Sequence, residues 1–378
     1  MKKASNPIRF NLVEVTDPKL AKEILRHNGA DTYDFKTYLE SLETVSGRNF
    51  NPLMNFCQGS LVYQRGKEHL KNRRVLKTFT GSKNVKSWEP QIKEALNEIT
   101  ANISSKKSFD LVQDLANPLY LFLARIVFGI EVPKEQESQF VKEIALAKDL
   151  VEPYVSIRKL DQIQQAIEKI KQHVSKATSQ NKPHENSLLG QLADHQDEHK
   201  DYLVVSMLVG VHTTAETLCL ILLNLLSSRE GIVFYKNCKD KNWLNKRIDG
   251  LLRLYPTTQS IFRYATKDFM LDDITYPQGT LFQLNLKSIN RSAPFYSEKQ
   301  ILQGDLEPKC PFNHTSFGGG AHKCPGNELA KSTITMALSI FSEKLPNITL
   351  NFENLSLRHT IIKTEPIEIT VGQNRVGA

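Results

Sequence analysis

The stretch Phe317-Gly318-Gly319-Gly320-Ala321-His322-Lys323-Cys324-Pro325-Gly326 places a cysteine and a histidine, two residue types able to hold a metal or an anion, where a glycine-rich loop runs into a helix. Pro325 suits a first helical position, and Leu329, Ile334, Met336, Ala337 and Ile340 give Gly326 to Phe341 a helical apolar pattern. A thiol at that end of a helix feels its positive pole, which lowers the thiol pKa and favours a metal-bound thiolate. Three successive glycines permit backbone conformations and close approaches that side chains forbid, so a flat, bulky ligand can lie against the loop. Other readings stand beside this one. A lone cysteine also serves as a small buried hydrophobe. Cys310, His314, His322 and Cys324 offer four zinc donors in one segment, although at a spacing unlike a finger or ribbon. A phosphate cradle is excluded, because the Walker spacing, its Lys-Ser/Thr pair and the third glycine of a dinucleotide fingerprint are all missing.

Three other groups have chemistry-bearing spacing. His69 and Arg73 lie four apart on an expected helix, Gly66 to Phe79, so both can reach one anion. Arg263 stands on an expected strand, and its planar fork matches a carboxylate in bidentate fashion. In a long apolar stretch, Val209-Gly210-Val211-His212-Thr213-Thr214 combines a gap with a hydroxyl. Gly210 opens space against a flat group. The Thr213 hydroxyl can turn onto the carbonyl four residues back, that of Val209, leaving a polar notch.

The pattern F-G-x-G-x-H-x-C-x-G at 317–326 resembles the heme-binding loop of the cytochrome P450 superfamily. The segment around His69 and Arg73 resembles that family's propionate-binding helix, and Arg263-Tyr264-Ala265-Thr266-Lys267-Asp268 its third propionate-binding strand. Asn290-Arg291, Asp305-Leu306 and His314-Thr315-Ser316-Phe317 are similar to the approach to the heme loop. The resemblance implies heme b with Cys324 as axial iron ligand, lodged against Phe317 and Gly318, with His69, Arg73, Arg263 and His322 at its propionates. It also implies oxygen chemistry beside Gly210, His212 and Thr213, and a substrate pocket that includes Met207, Val211, Ile261, Phe262 and residues between Phe50 and Tyr63. Two departures stand out. The acid usual before the threonine is replaced by His212, which can relay protons or touch substrate. The Glu-x-x-Arg helix reads Gly250-Leu251-Leu252-Arg253, with Asp249 as the nearest substitute carboxylate.

These groups need elements to position them. The chain has 378 residues, 40% hydrophobic and 24% charged, as expected of a globular protein with a large core. The pattern predicts a mainly α protein with small β-sheets, and the resemblance implies one domain spanning 1–378 with the heme between a long central helix and the cysteine-loop helix. Helices are expected at Trp88 to Ile103, Asp110 to Gly129, two within Lys142 to Lys176 joined near Pro153, Leu188 to Gln196, Tyr202 to Ser228 and Lys246 to Tyr255. Strands are expected at Ile261 to Tyr264, Phe269 to Leu271, Thr280 to Leu286 and around Ile348, Leu350, Ile361, Ile367 and Ile369. The Tyr202 to Leu226 stretch approaches membrane-spanning length, but His212, Glu216 and several hydroxyls favour a buried core helix.

The net charge of +8 comes without a long Lys/Arg block, which argues against a nucleic-acid partner. Met1 to Val13 reads as neither signal peptide nor membrane anchor, and the irregularly spaced Cys57, Cys219, Cys238, Cys310 and Cys324 form no disulfide framework; both point to the cytoplasm. The expected function is a monomeric heme-thiolate monooxygenase oxidising a small organic molecule in specialised metabolism. Its electrons would come from a ferredoxin or flavodoxin with its reductase. A peroxide-driven or otherwise atypical heme-thiolate enzyme, suggested by His212, and a non-catalytic heme sensor or recruitment module, suggested by Gly250 and His212 together, are the alternatives.

Overall fold

The computed structural model describes residues 11–152, 155–180, 184–193, 199–292, 297–303, 314–350 and 368–371. Helices dominate, and the longest is central: Lys200–Leu226 carries buried apolar side chains from Leu203 to Leu226 on nearly every side. A helix of that character must be wrapped. Asn51–Gly59, Glu137–Ala147, Ile157–Gln180, Arg229–Asn237 and Asn327–Lys344 pack against it, as does the continuous helical run from Leu111 to Phe128. Its length and hydropathy would suffice to cross a membrane, yet 72% of that apolar window is buried inside the protein. The expectation of a core helix therefore holds.

The Gly66–Phe79 helix has the predicted bounds and buries His69, Asn72, Leu76 and Phe79. Their spacing of three and four residues defines one face, so His69 is drawn inward by its apolar neighbours. A four-stranded sheet runs Asn11–Val15, Thr280–Asn285, Ser260–Ala265, Ala30–Asp31. Its register sets Asp31 opposite Tyr264, one residue from Arg263. Alternation then sends Ile261, Arg263 and Ala265 to one face of the strand and Phe262 and Tyr264 to the other. Ile261 and Ala265 accordingly join a small core around Leu25 and Phe282, whereas Phe262 and Tyr264 pack on the main helical core.

Several expectations are refined. The Phe50 to Tyr63 segment, read as an unpatterned loop, contains the Asn51–Gly59 helix; Leu53, Met54, Phe56 and Cys57 are buried and Asn51, Asn55 and Gln58 form its exposed polar face, a period that only about two turns of helix made hard to read. The helix expected over Asp110 to Gly129 begins at Leu111, because Ser108–Asp110 is a strand paired with Glu368–Val371. Asn11–Val15 and Ile274–Tyr276 add strands that short, mixed sequences hid. Leu188–Gln191 is shorter than expected, and Pro153, Ile361 and Ile367 lie outside the described residues. Cys57, Cys219, Cys238 and Cys324 are free thiols, as expected of a chain without a disulfide framework, and Cys310 lies outside the described residues.

Leu222 of the central helix is fully buried. Leu222→Ala should cost about 2–5 kcal/mol, read as a lowered midpoint with an unchanged slope in equilibrium denaturant unfolding.

Candidate functional site

The cysteine loop is shaped by backbone contacts. Gly318 and Gly320 adopt left-handed φ values of 66° and 64°. Only glycine fits at 320, where a Cβ would fall 1.8 Å from the Leu25 carbonyl oxygen. The Gly318 amide donates to the Thr315 carbonyl at 2.7 Å, and the Cys324 amide donates back to the Phe317 carbonyl at 2.8 Å. These bonds close the loop and fix Cys324 beside Phe317. The helix itself starts at Asn327, so Pro325 occupies the turn before it rather than the first helical position. Burial pushes the Cys324 thiol above its ordinary pKa, against the pull of the Gly326 amide and the positive charges of Arg73 and Lys323. The expected lowering by the helix end is thus outweighed while the sulfur faces only protein.

Beside the loop lies a cluster of basic groups. The His69 and His322 rings are 4.1 Å apart, and a guanidinium nitrogen of Arg73 donates to the Lys323 carbonyl. His322 Nε2 lies 2.8 Å from Asp31 Oδ1. Burial, reinforced by His322 and Arg73, lowers the His69 pKa to about 4, and burial lowers that of Arg263 to about 10 against the attraction of Asp31. Asp31 itself is held below the usual range, since His322 and the Thr32 amide outweigh the effect of its burial. His69 Nε2 is buried with no hydrogen-bond partner. His69, His322, Arg263 and Arg65 thus feel the one carboxylate of Asp31, with Arg73 beside His69, an arrangement that favours added negative charge.

Between Tyr202 and Leu223 of the central helix, Met207, Gly210, Thr213 and Thr217 are the residues left partly or fully exposed in an otherwise buried run. Their spacing of three, three and four makes one stripe. A Cβ on Gly210 would meet nothing within 4 Å. The Thr213 hydroxyl donates to the Gly210 carbonyl at 2.7 Å, three residues back, not to Val209 as expected; threonine in a helix can reach either carbonyl. Thr217 donates to the Thr213 carbonyl at 2.6 Å and touches the Thr257 hydroxyl. His212 lies roughly 200° round the helix from Gly210. Its ring meets Tyr120 edge-on at 5.0 Å, and its Nδ1 is 3.4 Å from Glu216. Val211 is buried, and Ile261 packs on the loop, its Cδ1 3.8 Å from where a Cβ on Gly318 would sit.

The residues present fit a flat dianionic group with a metal at its centre. The loop offers a sulfur donor, the basic cluster offers an unsatisfied buried nitrogen, and the central helix has open space at Gly210. A zinc site finds no support among the described residues, where no three metal-binding side chains gather; Cys310 lies outside them.

The support around the loop was partly illegible in sequence. Asn290, buried, accepts from the Thr315 amide at 2.9 Å and donates to Ser316 Oγ at 2.9 Å, and Ser316 donates to the Leu252 carbonyl. Asp305 and Leu306 lie outside the described residues. Asp249 bonds Lys331 at 2.8 Å and faces His314 at 3.4 Å, so it ties its helix to both sides of the cysteine loop. Its role is therefore this brace; Arg253 is buried nearby on the same helix. Asp31, the partner of His322, was missed as a residue of this cluster.

The family model for cytochrome P450 matches residues 9–231 and 235–343. The chain is 23% identical over 319 residues to the biotin biosynthesis cytochrome P450 of Bacillus subtilis (strain 168), covering 81% of this chain and 78% of that protein. It is 24% identical over 318 residues to the C-19 steroid 1alpha-hydroxylase of Sorangium cellulosum (strain So ce56), covering 81% and 78%. Among solved structures it resembles P450BioI in complex with hexadec-9Z-enoic acid ligated acyl carrier protein, with TM-score 0.80 at 20% identity, covering 95% of this chain and 92% of that one. Epothilone D-bound cytochrome P450epoK aligns with TM-score 0.77 at 17% identity, covering 96% and 91%.

Two outcomes test this geometry. Gly320→Ala should force the loop off Leu25 and lower the thermal midpoint by several degrees, whereas Gly210→Ala, which meets open space, should not. The Asp249 carboxyl is held below the usual range because His314 and Lys331 outweigh its burial. Its stabilisation is present above the pKa of a free aspartate and is lost as pH falls through the lowered value. A pH series of melting curves should show Asp249→Asn removing part of that acid-side loss.

Proposed function

Because this chain belongs to the cytochrome P450 family, we propose that Cys324 is the axial ligand of a heme b lying between the 317–326 loop and the Gly210 stripe of the central helix. The chain is a monooxygenase, an oxidoreductase that inserts oxygen into a small organic molecule. The observation that carries the cofactor assignment is the gathering of basic groups, His69 and Arg263 buried and Arg73 and His322 half-buried, beside a sulfur-bearing loop. His69, Arg73, Arg263 and His322 bind the two propionates, whose charge supplies what Asp31 alone leaves wanting. Phe317 and Gly318 form the wall against which the macrocycle rests.

Bound there, the heme supplies oxygen activation, with the thiolate sulfur donating electron density that favours O–O cleavage. The protein positions the rest. Gly210 gives clearance and the Thr213 hydroxyl, anchored on the Gly210 carbonyl, presents its oxygen to that space. Met207 and Phe262 supply apolar pocket surface for substrate, while Val211 and Ile261 act as packing behind it. Electrons arrive from outside the chain. Lys71, Arg74, Lys77 and Lys323 form an exposed basic face near Cys324, complementary to an acidic ferredoxin or flavodoxin in the cytoplasm.

Purified protein should carry heme and show the red-shifted Soret band of a thiolate-ligated heme when reduced under carbon monoxide. Cys324→Ala should abolish that band. His69→Ala and Arg73→Ala should keep it but speed heme loss about tenfold each, as expected when one hydrogen bond to a charged group disappears. A colourless protein with stoichiometric zinc, or a band that survives Cys324→Ala, contradicts the reading.

A further inference from the structure

The open stripe of the central helix changes character along its length. Met207 gives it an apolar end, Gly210 an open gap, and Thr213 and Thr217 follow with hydroxyls. Thr217 lies about two turns beyond Gly210, nearly on the same line of the helix. The turn after the Ile248–Leu254 helix brings Thr257 against it, so that the Thr217 and Thr257 hydroxyls share a hydrogen bond. Thr257 is buried, and its hydroxyl has no other partner among the described residues. The Ser260–Ala265 strand that carries Phe262 starts just beyond it.

A hydroxyl has a single hydrogen to donate and a pair of lone pairs with which to accept. Thr213 donates its hydrogen to the Gly210 carbonyl at 2.7 Å, and Thr217 donates its own to the Thr213 carbonyl at 2.6 Å. Thr257 is therefore the donor in its bond with Thr217. All of these hydrogens are committed, and oxygen lone pairs alone remain along the stripe. Glu216, next to Thr217 in sequence, is turned to Lys148, so the stripe carries no charge. We propose that the Thr217–Thr257 pair is a specificity-determining subsite that accepts a hydrogen bond from a neutral hydroxyl or amide N–H of the substrate, whose apolar body lies along Met207 and Phe262. The inference rests on the heme-thiolate pocket reading and names the substrate class that such a pocket takes.

The discrimination follows from what each group loses on leaving water. A substrate hydroxyl meets a waiting lone pair and replaces the bond it made to solvent. A ketone in its place sets oxygen against oxygen with no hydrogen between them, and its own bond to water is lost without replacement. A cationic amine is also disfavoured, because no carboxylate on the stripe offsets its desolvation. The subsite stands roughly 10 Å along the helix from the Gly210 gap, so oxidation falls on a carbon several bonds from the donor group. Removing the Thr217 hydroxyl changes the rule. Thr257 then loses its acceptor, and its freed hydrogen ends the bias against a carbonyl.

The test uses holoprotein and matched alcohol–ketone pairs of increasing size: menthol and menthone, cyclododecanol and cyclododecanone, cholestanol and cholestanone. Calorimetry reads the dissociation constants without turnover. At least one alcohol should bind about fivefold more tightly than its ketone, or better. Thr217→Val should bring that pair within about twofold, mainly by weakening the alcohol, and Thr217→Ser, which keeps the hydroxyl, should keep the wild-type preference. A tie that served packing alone would weaken both members alike and leave their ratio unchanged. The absence of any pair favouring the alcohol in wild type overturns the proposal, as does a preference that survives Thr217→Val or that Thr217→Ser fails to keep. Wild type lacking the thiolate band overturns the heme reading itself; wild type with that band but without the alcohol preference overturns only this inference.

Discussion

A helix of 27 residues that is apolar nearly all round has to be enclosed, and the molecule is built round that requirement. The surrounding helices close every side of Lys200–Leu226 except the stripe through Met207, Gly210, Thr213 and Thr217. Enclosure makes the few polar groups on this helix expensive, and several are committed to a partner. Thr213 and Thr217 return their hydroxyls to the helix backbone, and Glu216 takes Lys148 from a neighbouring element. The open stripe faces one chemistry, and the opposite side holds another polar cluster; the helix separates the two by its own diameter.

Electrostatics gives the other side of the site its character. His69, His322 and Arg263 gather round Asp31 with Arg73 beside them, and three of these groups are driven toward the neutral form: His69 by burial near like charge, and Arg73 and Arg263 by burial. An anionic ligand reverses that tendency by restoring balance. The backbone of the cysteine loop supplies the second constraint. Because Gly320 lies against the Leu25 carbonyl, the loop is held between the Pro18–Arg26 helix and Ile261, and the sulfur has little freedom to wander.

Local signals were legible and distant pairings were not. The Gly66–Phe79 helix could be bounded from residue spacing, and the glycines of the cysteine loop announced left-handed turns that the structure bears at Gly318 and Gly320. Asp31 could not be foreseen, since it sits on a two-residue strand and meets His322 across 291 positions. Lys148 meets Glu216 across 68. The Asn51–Gly59 helix was hidden because its polar period, Asn51, Asn55 and Gln58, runs for only about two turns. Asp249 was read as a partner for Arg253 from spacing along one helix, but its carboxylate turns outward to His314 and Lys331, contacts that only tertiary packing creates.

The central claim is a bond from iron to the sulfur of Cys324, and the most direct measurement is X-ray absorption at the iron edge of the purified holoprotein. The account predicts one sulfur scatterer beside the four porphyrin nitrogens, absent from Cys324→Ala protein supplied with heme. A first shell of nitrogen and oxygen alone in the wild type, or a sulfur that persists in Cys324→Ala, would contradict it.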